Sequence, residues 1–80
     1  MSFDYSKLDG RITEIFGTRY AFAKQMEFSE RTLSLKMNGK IEWKQTEMHK
    51  ACELLNIPVE EIPVYFFTLN VQPLEHNQAS

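Results

Sequence analysis

Cysteine is almost missing from this 80-residue chain. Cys52 stands alone, so no internal disulfide can form, which fits a reducing compartment. Histidine is nearly as scarce. His49 and His76 together with Cys52 cannot supply a zinc shell, and Cys52 falls on an apolar helix stripe where packing is its expected role. No metal and no cofactor are expected. Glycine and proline number three each, too few for a linker or a collagen-like chain, and no glycine-rich phosphate loop is present. Glu60 and Glu61 are adjacent on a short helix, so their side chains diverge as solvated carboxylates. An enzyme is not expected. No apolar run approaches the ~20 residues of a membrane span. The opening Met1-Ser2-Phe3-Asp4 lacks the basic flank and apolar stretch of a secretory signal. These absences give the expectation of a cytoplasmic protein with no membrane partner.

What is present is one small domain's worth of apolar residues and an uneven charge distribution. A chain of this length buries roughly 60% of its unfolded surface, enough for a single core with a narrow stability margin. The net charge is −2. Residues 19–50 nevertheless carry seven cations against four anions, a local +3, while residues 51–80 carry four glutamates and no cation. A basic middle with an acidic far end suits a protein that meets phosphate on one face only.

Apolar periodicity places four helices and a short fifth. Leu8, Ile12, Ile15 and Phe16 form one stripe over residues 5–16, ended by Gly17. Thr18 is an N-cap for a second helix over 18–26. Ser29 caps a third, with Glu30 in its first turn, which runs to about Met37 and stops at Asn38-Gly39, a pair suited to left-handed backbone angles. Trp43 lies in the following loop and is expected to plug the core between helices 3 and 4. The fourth helix covers 44–55, with Met48, Ala51, Cys52 and Leu55 on one stripe. Pro58 can open a fifth helix, which Pro63 then limits or kinks. Residues 64–71 are aromatic and β-branched enough to be a helix end or a strand. The division expected is a helix-turn-helix domain over 1–67 and a C-terminal tail over 68–80 that could be partly ordered or in dimer contact.

Residues 18–40 read as two short helices meeting at a tight corner, with Phe22, Ala23, Met26, Phe28, Leu33 and Met37 spaced to pack them together. That is the pattern of a helix-turn-helix, whose second helix lies in the major groove. On a wheel of about 100° per residue with Leu33 inward, Arg31, Leu35 and Asn38 fall roughly 160°, 200° and 140° away, Ser34 near 100° and Glu30 near 60°. The expected base-reading set is Glu30, Arg31, Ser34 and Leu35. Arg31 could pair with guanine, Ser34 with a base edge or a phosphate, and Glu30 with cytosine, although as a helix-dipole partner Glu30 needs no further role. Leu35, an apolar residue opposite the core, could meet a thymine methyl, belong to a protein-binding patch, or be ordinary surface. The expected backbone-contacting set is Arg19, Ser29, Lys36, Asn38, Gly39 and Lys40, whose charges and free N–H groups suit phosphate.

Phe22-Ala23, Ser29-x-x-Thr32-Leu33-Ser34 and Asn38-Gly39-Lys40 resemble the Cro/repressor class of phage helix-turn-helix proteins, the lambda-repressor-like family. The run Leu33 to Lys40, with Cys52-Glu53-Leu54-Leu55-x-Ile57 and Tyr65-Phe66-Phe67, is similar to small Cro-like phage and prophage proteins. The resemblance covers about residues 5–67. It implies an all-α, compact five-helix domain that binds double-stranded operator DNA as a transcriptional regulator. Some similar phage proteins bind a partner repressor instead of, or besides, DNA, which makes a modulator of repression the alternative. One departure is Glu27, where the corner often carries glycine. One reading helix contacts few base pairs, so a weak homodimer could form through Tyr65, Phe67, Leu69 or Val71, the alternative being that Phe66 and Phe67 simply close the monomer core.

Overall fold

The computed structural model describes residues 3–69. Five helices follow one another: α1 (Ser6–Phe16), α2 (Arg19–Met26), α3 (Glu30–Met37), α4 (Gln45–Leu55) and α5 (Ile62–Phe66), with a 3₁₀ turn at Val59–Glu61 before the last. The all-α five-helix architecture implied by the sequence is the one observed. Helices α1, α2, α4 and α5 share one core, while α3 packs chiefly on α2. Leu8, Ile12, Phe22, Leu33, Leu55 and Phe66 are almost wholly buried, and each contributes about 1.5–3 kcal/mol by leaving water. Trp43 is buried as expected, edge-on to Phe66 at 5.1 Å and beside Tyr5 and Phe28.

The helix ends follow local chemistry closely. Thr18 Oγ1 accepts from Ala21 N–H at 3.1 Å, and Ser29 Oγ accepts from Thr32 N–H at 3.0 Å, so both capping expectations hold. Gly17 takes φ +85° to leave α1. Glu27 sits at φ +67°, with its N–H on Lys24 O and the next N–H, of Phe28, on Ala23 O. That pair of bonds closes a helix through a left-handed residue, a place that glycine fills without a Cβ clash. Here a glutamate holds it, so the corner carries local backbone strain.

Three details differ from expectation. At the end of α3 only Gly39 is left-handed, at φ +76°, while Asn38 stays at φ −96°. Ile15 is 40% exposed; the wheel gives its direction correctly, but burial also needs a neighbour over the last turn of α1. Pro63 lies in the first turn of α5, after Ile62, and does not end a helix that started at Pro58. A first-turn proline loses only an N–H that had no intrahelical partner. Beyond α5, Phe3 and Leu69 form an isolated antiparallel bridge, and Asp4 N–H donates to Thr68 O at 2.6 Å. Residues 64–69 are thus a helix end followed by a bridge, and Thr68 and Leu69 join the folded unit. Val71 and the rest of the expected tail lie outside the described residues.

Candidate recognition face

Thr18, Glu27 and Ser29 fix how α2 and α3 meet, and this sets which residues of α3 face away from the core. Glu30, Arg31, Asn38, Gly39 and Lys40 are exposed, and Ser34 and Leu35 are half-buried. Arg31 and Glu30 therefore stand where the wheel put them. They are opposite charges on consecutive residues, so the first turn of this face has no net charge. Ser29 is exposed, but its hydroxyl is spent on capping α3 and on Thr32 Oγ1 at 3.0 Å. Arg19 is exposed and ion-paired, Nε to Asp9 Oδ1 at 2.9 Å. The hydrogen bond to that carboxylate holds the guanidinium pKa above its ordinary value.

Lys36 corrects the expected phosphate-contacting set. It is 3% exposed, and its Nζ lies 2.9 Å from Glu47 Oε1 and donates to Glu42 O at 2.9 Å. The rings of Phe28 and Trp43 lie 5.3 and 5.8 Å from the ammonium. A cation so placed ties α3 to α4 and to the loop between them and cannot reach a ligand. Glu47 also accepts the Lys44 N–H at 2.9 Å. Desolvation pushes its carboxyl pKa up, but the bonds from Lys44 and Lys36 outweigh it, and the group ends below its ordinary range. The sign of this placement was present in the sequence: Lys36 is only about 60° from Leu33 on the wheel. Residue type argued for the surface, and the half-buried acceptor that overrules it lies eleven residues further on.

Tyr20 is the residue that the sequence pattern did not single out. It is 55% exposed, takes Lys24 Nζ over its ring at 5.7 Å, and lines a groove of about 210 Å³ with Arg19, Glu30, Leu33 and Ser34. An exposed tyrosine at the second position of α2 is visible only once the two helices are docked. A second, larger groove of about 430 Å³ is walled by Phe3, Tyr5, Ile41, Trp43 and Phe67. Of the residues expected to pair two copies, Tyr65 is half-buried, while Phe67 and Leu69 are 46% and 50% exposed. Phe67 meets Phe3 edge-on at 5.6 Å.

Among the described residues no three His, Cys, Asp or Glu side chains come together to hold a metal. Cys52 is buried, and desolvation raises its thiol pKa, which disfavours the reactive thiolate. No helix among the described residues is long and apolar enough to cross a membrane.

A family model described as a protein of unknown function (DUF739) matches residues 1–69. The solution structure of the modulator of repression (MOR) of the temperate bacteriophage TP901-1 from Lactococcus lactis is similar, with 51% sequence identity and a TM-score of 0.75. The match covers 90% of this chain and 97% of that one. No curated protein matches the chain.

Proposed function

The chain belongs to the DUF739 family, and on that premise we propose that it is a modulator of repression in a temperate phage, acting by binding a partner repressor protein. The observation that carries this reading is the 51% identity to the TP901-1 modulator of repression over nearly all of both chains. At that similarity a small regulator of the same kind is the economical assignment, and it favours the alternative over direct operator binding. The α3 face agrees. With Lys36 buried and Arg19 paired to Asp9, two of the cations expected at phosphate are engaged within the protein, which lowers the number left to displace the counterions of DNA, the process that supplies most non-specific affinity.

The test is a mobility-shift titration of operator DNA with the repressor encoded alongside this chain, in the presence and absence of this protein. The expected result is a change in the repressor's apparent affinity, together with a repressor–modulator complex in sedimentation. An unchanged operator isotherm and no complex would refute the assignment.

A second reading keeps α3 as a DNA-reading helix. The exposed Arg31, with Asn38, Gly39 and Lys40 exposed beyond the helix end, supports it. The same titration with this protein alone, at two salt concentrations, checks it: a sequence-selective shift is expected, and none at low salt would remove it.

A further inference from the structure

Residues 58–64 turn outward more apolar surface than the fold uses. Ile57 and Phe66, 5% and 1% exposed, anchor the two ends of this segment in the core. Between them Ile62 and Tyr65 are half-buried; Pro58, Val59, Glu60, Glu61, Pro63 and Val64 are exposed. Val59 is 58% and Val64 43% exposed. The local backbone does not ask for either valine, because β-branched residues are mediocre formers of helical turns.

The charge around this ridge is of one sign. Residues 51–69 contain Glu53, Glu60 and Glu61 and no lysine or arginine. None of these three glutamates joins an ion pair among the described residues, nor do Asp4, Glu30 and Glu42, whereas Asp9, Glu14, Glu27 and Glu47 each do. Arg11 reaches the region from α1, but its guanidinium is occupied. Nε and Nη2 donate to Leu55 O and Asn56 O at 2.9 and 3.1 Å, and Nη1 to Glu14 at 3.4 Å.

An apolar strip edged by unpaired carboxylates has the make-up of a docking surface, with apolar area for affinity and charge for selection and approach. The complementary partner carries cations. A repressor that grips operator DNA must present lysine and arginine to phosphate, so the partner class proposed above supplies the required sign. We propose that the ridge of residues 58–64, with Val59 and Val64 as apolar contacts and Glu60 and Glu61 as ion-pair partners, docks a cation-bearing surface of the partner repressor. This rests on the partner-repressor reading. It leaves the α3 face open, because α5 packs on α1 and α4 while α3 packs on α2.

The experiment is an NMR titration of the isotopically labelled full chain with the purified repressor encoded alongside it, joined to affinity measurements at low and moderate salt. Amide shifts are expected to concentrate at residues 59–64. The double variant Glu60→Lys/Glu61→Lys should weaken binding roughly tenfold or more at low salt, by setting like charges against the partner. Val59→Ser/Val64→Ser should weaken it by about fivefold through lost apolar contact. Both variants alter exposed side chains, so their melting curves should match the parent protein and show that the fold is intact. Shifts centred on Arg31, Ser34 and Leu35, or a Glu60→Lys/Glu61→Lys variant that keeps full affinity, would overturn the docking surface while leaving the partner-repressor reading in place. No binding by the parent chain would overturn both.

Discussion

Replacing Lys36 by alanine separates the two roles that this residue could play. A surface lysine costs little to truncate, within about 0.5 kcal/mol. In the structure, however, the ammonium is enclosed, 2.9 Å from Glu47 Oε1 and 2.9 Å from Glu42 O, with two aromatic rings beside it. Removing one member of a buried pair leaves the other charge uncompensated, at about 3–5 kcal/mol. Glu47 keeps its bond from Lys44 N–H, and its side chain is 18% exposed, so the lower end, about 3 kcal/mol, applies. For a domain of this size each kcal/mol moves Tm by about 4–8 °C, which gives a fall of roughly 12–24 °C. The loss is a large part of the roughly 4–12 kcal/mol expected for a chain of this length. Urea unfolding followed by Trp43 fluorescence, the chain having one tryptophan, reads it directly. The double variant Lys36→Met/Glu47→Leu removes both charges and keeps apolar bulk, so it should recover most of the loss. A Lys36→Ala midpoint within about 0.5 kcal/mol of the parent would refute the buried-pair account and return Lys36 to the surface.

Three other outcomes follow from the same geometry. Glu27→Gly should stabilise the protein by about 0.5–1 kcal/mol in thermal melts, because relief of a left-handed L-residue exceeds the entropy that glycine adds to the unfolded chain; the exposed 3.9 Å pair with Lys50 adds little to oppose it. The depressed carboxyl of Glu47 contributes stability that is fully present above its unfolded pKa of about 4.3 and is lost as pH falls through the lower folded value. Acid unfolding should therefore steepen below about pH 4.3, and Glu47→Gln should flatten that limb. On the DNA-reading alternative, Arg31→Ala should cost about 1–3 kcal/mol of specific binding and relax preference at one base position; equal loss on all sequences in competition shifts would make Arg31 a phosphate contact.

The proposed modulator role and the helix-turn-helix expected from the sequence are compatible. A fold that reads DNA in one setting can serve as a scaffold in another, since function is carried by the surface and not by the fold. In this chain the surface evidence divides. The α3 face keeps Arg31 but has lost Lys36 to the core, while the segment before α5 gathers apolar and acidic groups.

Local rules written into the chain were enough for the helices, their caps and most of the core. Thr18 and Ser29 cap because a short hydroxyl side chain can reach the N–H three residues on. Phe22, Leu33 and Leu55 are buried because helical periodicity puts them on one side. The direction of Arg31 was legible for the same reason, as was the awkward place of Glu27. Long-range pairing was not legible in this way. Lys36 is internal because Glu47 and Glu42 O, from a different helix and loop, receive its charge. Ile15 is exposed because, among the described residues, no element lies on its side of α1, and Leu69 is held because Phe3 comes to lie beside it. Tyr20 became part of a groove only when α2 met α3. Periodicity and capping act over three or four residues and can be read along the chain, whereas which groups a buried charge or an exposed ring will meet depends on how the helices dock.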